Sequence, residues 1–169
     1  MLLTMKLIQS KLTLLGTVVF TRSFSESASR RVLRPGDTLR LERVFADEDI
    51  LMYSNVSCDS NPLHFDSEFA RDAGFKDRVV QGMLVASLFP RIIASHFPGA
   101  VYVSQCLQFK APVYIGDEVF GEVKATSIRE HRKKYIAKFS TKCINADKIL
   151  VIDGEATAIL PILEQALMD

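Results

Sequence analysis

The 169-residue chain has no tryptophan, only three cysteines, and just six prolines and eight glycines, and it carries a formal net charge of only +1. Each shortage excludes something. Three well-separated cysteines, Cys58, Cys106 and Cys143, indicate neither a disulfide framework nor a zinc knuckle, and are expected to be buried thiols in a reducing compartment. The sparse glycine and proline and the balanced charge rule out collagen-like, disordered and supercharged chains. No uninterrupted apolar run reaches the ~20 residues needed to span a bilayer, so no integral membrane segment is expected. Neither a glycine-rich nucleotide loop nor clustered metal ligands occur, which predicts no cofactor and no metal. No internal repeat or low-complexity tract is present. What the chain does have is 48% hydrophobic residues, enough for a sizeable core, since a domain of this size buries roughly two-thirds of its unfolded surface.

The charge is unevenly spread. Residues 1–31 hold Lys6, Lys11, Arg22, Arg30 and Arg31 against the single acid Glu26, interleaved with Ser, Thr and leucine-rich apolar residues. Such a basic, acid-poor, amphipathic start predicts a mitochondrial presequence and a matrix location, with the fold confined to residues 32–169. The rival, a secretory signal centred on Leu12 to Phe20, lacks a small-residue cleavage site and is followed directly by Arg22. Arg22-Ser23-Phe24-Ser25 resembles a matrix-processing pattern and places cleavage before Ser25.

Beyond the presequence, a turn at Pro35-Gly36-Asp37 precedes a first strand through Leu39, Leu41 and Val44. Ala46 to Val56 then reads as a helix, with acids Asp47, Glu48 and Asp49 in its first turn. A short helical segment from Asp66 to Ala73 ends at Gly74, and Met83 to Phe97, hydrophobic almost all round, reads as a buried helix that Pro90 kinks or begins.

From Val101 the period becomes two. Apolar residues alternate at Val101, Val103, Leu107, Phe109 and Ala111; at Val119, Gly121, Val123 and Ala125; at Tyr135, Ala137, Phe139 and Cys143; and at Leu150, Ile152, Ala156, Ala158 and Leu160. Loop chemistry at Ile115-Gly116-Asp117, Arg129 to Lys134 and Asn145 to Lys148 makes these strands antiparallel. The expectation is an α+β domain in which a curled antiparallel sheet wraps a central apolar helix.

Asp59-Ser60-Asn61-Pro62-Leu63-His64 packs a carboxylate, a carboxamide and an imidazole around a stiff Asn-Pro turn. Two readings stand: Asp59 and His64 form a proton-transfer pair with Asn61 orienting it, or Asp59 and Asn61 merely cap a turn ahead of a short helix. Val80-Gln81-Gly82-Met83 opens the apolar helix, and its glycine either lets a ligand approach amides suited to developing negative charge or simply starts the helix. His96, near a helix end, reads as a cation facing the helix dipole, and His131 lies in a charged loop. Arg129, Arg132, Lys133 and Lys134 lack interleaved aromatics apart from Tyr135, which favours a solvated loop or carrier-protein contact over nucleic-acid binding.

The run Tyr53 to Asp66, together with Gly82 and with Phe109-Lys110-Ala111-Pro112-Val113 before Gly116-Asp117, resembles the MaoC-like (R)-specific enoyl hydratases and 3-hydroxyacyl-thioester dehydratases, which have the hotdog fold. Cys58, Ser67 and Gln81 stand where glycine, proline and histidine are common in that family. The resemblance implies Asp59 and His64 as the catalytic pair, Asn61 as the orienting residue and Gly82 as the oxyanion donor. The implied activity is reversible dehydration of (3R)-hydroxyacyl thioesters of acyl carrier protein or coenzyme A, in type II fatty acid synthesis. Tyr53, Gln81, Met83 and Phe89 are candidate acyl-groove contacts, and a homodimer that continues the sheet is expected. A hotdog thioesterase and a non-catalytic acyl-thioester-binding hotdog are the alternatives.

Overall fold

The computed structural model describes residues 32–165. The expected presequence and its cleavage before Ser25, like the last four residues of the expected domain, lie outside the described residues. The chain runs through strand β1 (Thr38–Val44), helix α1 (Asp47–Ser57), a 3-10 turn (Pro62–His64), helices α2 (Ser67–Asp72), α3 (Gly82–Ala86) and α4 (Leu88–His96), and strands β2 (Val101–Phe109), β3 (Glu118–His131), β4 (Lys134–Asn145) and β5 (Leu150–Leu160). The strands form one antiparallel sheet in the order β1-β3-β4-β5-β2. This is the α+β hotdog arrangement, with the sheet curled around the α3–α4 helix. Among the described residues no helix is long and apolar enough to cross a membrane.

The period-two pattern of β3, β4 and β5 places Val119, Val123, Ala137, Phe139, Ile152 and Ala158 in one core with Phe89, Ile92 and Ile93 of α4. Gly121 sits where α4 crosses β3: a side chain there would come within 3.2 Å of Ile92 and 3.3 Å of Leu88, so glycine lets helix and sheet approach. Thr141 is wholly buried in the same row and accepts a hydrogen bond from Gln105 Nε2 at 3.2 Å, which offsets its desolvation.

The apolar stretch after Gly82 divides into α3 and α4 on either side of Ser87, and Pro90 stands in the first turn of α4, one of the two places expected for it, where a missing N–H costs little. Four expectations are corrected. The stretch is not buried all round: Val85, Leu88, Phe89, Ile92 and Ile93 face the sheet, whereas Arg91, Ala94 and Ser95 are exposed. In β2 the apolar odd positions do not share a buried face, since Val101, Val103 and Phe109 are 54%, 55% and 52% exposed. A bulge between Tyr102 and Ser104 shifts the register, and β2 is an edge strand whose outer side lacks a neighbour. Of the cysteines, Cys58 and Cys106 are exposed; Cys143 alone is buried, and that burial pushes its thiol pKa up to about 12.

β2 pairs with β5, so the Ile115-Gly116-Asp117 segment is a crossover to the far side of the sheet rather than a hairpin. It is tied down by Gly116 N–H donating to the Phe45 carbonyl at 2.9 Å and Tyr114 N–H donating to Asp117 Oδ2 at 3.0 Å. The other two breaks are hairpins, between β3 and β4 and between β4 and β5.

Candidate active site

The polar motif lies between α1 and α2. Helix α1 starts where the Asp49 carboxylate accepts from Ala46 N–H at 2.9 Å and from Arg43 Nη2 at 2.6 Å, and it stops at Cys58, which adopts a left-handed φ of 58°. That reversal turns the chain so that the half-exposed Asp59 side chain approaches His64. Two serines of α1 hold the Asp59 backbone: the Ser54 hydroxyl donates to the Asp59 carbonyl, and Asp59 N–H donates to Ser57 Oγ at 3.2 Å. The Asp59 carboxylate also accepts from Asn61 N–H at 3.2 Å, and Asn61 Oδ1 in turn accepts from Leu63 N–H at 3.2 Å, capping the 3-10 turn that ends at His64. Asn61 therefore holds the Asp59 carboxylate through its backbone and shapes the turn through its side chain.

Glycine tolerates the left-handed region where a side chain costs roughly 1–2 kcal/mol, while it loses about 0.4–1 kcal/mol more entropy on folding. Cys58→Gly is therefore expected to raise the unfolding free energy by roughly 0.5–1 kcal/mol, measured as a higher urea midpoint. An unchanged or lower midpoint would show that the left-handed turn carries no strain.

His64 is buried, and its Nδ1–H donates to the Val79 carbonyl at 2.7 Å. A carbonyl can only accept, so this bond fixes the tautomer and leaves Nε2 free to exchange a proton. Nε2 lies 3.6 Å from Asp59 Oδ2. That is too long for a direct hydrogen bond, yet one water oxygen can sit at ~2.8 Å from both atoms.

His64 and Gly82 line one cavity of about 350 Å³, with Val79, Val80, Val85, Val113 and Ile152 among its apolar walls and Phe109 and Lys110 beside Gly82. Gly82 is the first residue of α3, so its N–H has no intrahelical acceptor. A side chain at this position would meet the Phe109 ring at 2.9 Å. His64 and a free amide thus share an apolar slot, and Asp59, itself off the cavity wall, reaches it through His64, an arrangement suited to moving protons beside a carbonyl that gains negative charge.

The other expected contacts lie elsewhere, and none of Tyr53, Gln81, Met83 and Phe89 is part of the cavity wall. Phe89 is wholly buried in the core because it faces the sheet, and Met83 is exposed on the opposite side of α3. Tyr53 is half-buried on α1, where its carbonyl accepts from the Ser57 hydroxyl at 2.7 Å. Gln81 is buried, with its Nε2 donating to the Ile50 carbonyl at 3.3 Å. His96 Nδ1–H donates to the Ile92 carbonyl at 2.8 Å near the end of α4, away from the cavity. His131 and its basic neighbours sit on the β3–β4 hairpin, at the opposite end of the sheet from Cys143 and Ile152. Phe75, Val79 and Val113 were not anticipated as walls; the Phe109 to Val113 motif was the only sequence signal pointing to that side of the cavity. Ser67 begins α2 and its hydroxyl donates to the Asp77 carboxylate, which is held below the usual range chiefly by that bond.

A profile of the MaoC like domain matches residues 24–145. The chain belongs to the MaoC-like family. It is 63% identical over 144 residues, 85% of this chain and 87% of the relative, to "3-hydroxyacyl-[acyl-carrier-protein] dehydratase, mitochondrial" of Arabidopsis thaliana. It is 65% identical over 139 residues, 82% and 84% of the two chains, to "3-hydroxyacyl-[acyl-carrier-protein] dehydratase FERN, mitochondrial" of Solanum lycopersicum. Among solved structures, the (R)-hydratase from A. caviae involved in PHA biosynthesis superposes with a TM-score of 0.72 at 37% identity, covering 76% of this MaoC-like chain and 98% of the hydratase. The family's enzyme class, hydro-lyase, is therefore that of this chain as well.

Proposed function

We propose that this MaoC-like hydro-lyase reversibly dehydrates (3R)-hydroxyacyl thioesters to trans-2-enoyl thioesters, with Asp59 and His64 as the acid–base pair and the Gly82 amide as oxyanion donor. In the forward direction the C2–H bond breaks and its proton passes to one member of the pair. The electron pair forms the C2–C3 double bond as the C3–O bond breaks, and the other member protonates the departing hydroxyl, which leaves as water. Charge that builds on the thioester oxygen is met by the Gly82 N–H at the start of α3. The observation that carries the reading is the 3.6 Å approach of His64 Nε2 to Asp59 Oδ2, with His64 on the wall of the same cavity as Gly82.

The carrier is acyl carrier protein, and the setting is fatty acid synthesis in the mitochondrion, a reading supported by the names and high identity of the plant relatives. Two copies associate along β2, continuing the sheet. The exposed Val101 and Val103 on that unpaired edge support this assembly, because an open apolar edge left alone invites unspecific pairing.

Purified protein mixed with a trans-2-butenoyl thioester is expected to bleach the enoyl thioester band and yield the (3R)-hydroxy product. Bleaching matched by release of free thiol, with no (3R)-hydroxy product, would make it a thioesterase, and binding without turnover would make it a carrier of acyl thioesters.

A further inference from the structure

Gln81 is an anomaly: a 2%-exposed carboxamide whose Oε1 has no hydrogen-bond partner among the described residues, one position before the oxyanion glycine. Leaving a buried acceptor unpaired costs stability, and an apolar side chain of the same length would avoid that cost. The other half of the amide is engaged, with Nε2–H donating to the carbonyl of Ile50. Ile50 and Ser54 are the buried residues of α1, one helical turn apart, and Ser54 is the residue whose hydroxyl holds the Asp59 backbone.

The segment leading into α3 is tethered at neighbouring positions. Val79 is joined to the 3-10 turn twice, its N–H donating to the Leu63 carbonyl at 3.1 Å and its own carbonyl accepting from His64 Nδ1 at 2.7 Å. Val80 N–H donates to the Val113 carbonyl at 2.8 Å. These bonds fix the Gly82 amide relative to His64. None of them reaches α1, the helix that leads into Asp59 and whose serines hold its backbone; Gln81 does.

We propose that Gln81 is a positioning residue for the dehydration reaction: by tying the start of α3 to α1, it sets the spacing between the Gly82 amide and the Asp59 carboxylate. This rests on the dehydratase reading above. Its chemistry is indirect, since Gln81 is absent from the cavity wall and touches no reacting atom. Ser54 is the other end of the same strut, carrying the α1 position on to Asp59.

The test is Gln81→Met, which keeps length and removes both polar atoms. Turnover of the enoyl thioester is expected to fall about 10-fold or more, because small displacements of reacting groups are expensive. KM should stay within about threefold, because the cavity walls are intact. Tm should equal or exceed that of the wild type, because the orphaned acceptor is gone. Ser54→Ala should also lower kcat, and the double variant should lose little more than the worse single variant, as expected when two residues serve one strut. A kcat for Gln81→Met within twofold of wild type would overturn the proposal. So would a joint fall in kcat and Tm, which marks a merely structural residue, or losses that multiply in the double variant. An inactive wild-type enzyme would instead remove the dehydratase reading itself, so the two failures are distinct.

Discussion

Asp59→Asn and His64→Ala are each expected to lower kcat for enoyl thioester hydration by about 10²- to 10⁴-fold, the usual contribution of a positioned general acid or base. The losses should not multiply. A pair that shares one water acts as a unit, so the double variant should fall little below the worse single one. Asn keeps the volume of Asp59 and can still accept from Asn61 N–H, so its loss reports the charge and proton rather than the turn. His64→Ala opens a hole beside the Val79 carbonyl and leaves that acceptor without its 2.7 Å donor, so part of its effect will be structural. Stopped assays with a trans-2-butenoyl thioester, run beside thermal unfolding, separate these components. Turnover near the wild-type rate in Asp59→Asn with an unchanged Tm would exclude this carboxylate from the chemistry.

Gly82→Pro, compared with Gly82→Ala, isolates the proposed oxyanion donor. Proline removes the amide hydrogen, and the first position of a helix is where its absence costs the helix nothing. The preceding residue already suits it, since Gln81 has ψ 127°, extended rather than helical, as a residue before proline must be. Both substitutions place a side chain against the Phe109 ring, at 2.9 Å before relaxation, and that half-exposed ring has room to swing aside. Alanine therefore carries the steric penalty alone, whereas proline carries it together with the lost N–H. The ratio of their kcat values is expected to be about 10²–10³ in favour of alanine, the cost of deleting one oxyanion donor. Equal rates would mean that the developing charge is met elsewhere.

How much of this could be read beforehand varied with the physics of each segment. Strands β3 and β4, and β5 beyond Ile152, alternate because one face packs into the core and the other is more exposed, so burial imprints directly on the sequence. Strand β2 misled because a bulge and an open edge replace the alternation with exposed valines at 101 and 103. Pro90 announced a kink or a first turn in the apolar stretch, but not the division at Ser87. The Asp59 to His64 motif stood out because its chemistry is local. The cavity wall did not, because Phe75, Val79 and Val113 come from irregular segments where no periodicity marks an inward side chain. The burial of Gln81 is a tertiary fact with no local signature.

The crossover that sends β3 to one side of the sheet and leaves β2 to pair with β5 also governs when the pocket can exist. Its walls come from the 3-10 turn, the start of α3, the end of β2, the crossover and β5, so the slot is complete only when the C-terminal strand has placed Val151 and Ile152 across from His64. An acyl chain in the slot therefore stabilises nothing short of the finished topology, and occupancy would protect the whole sheet from opening rather than one corner of it.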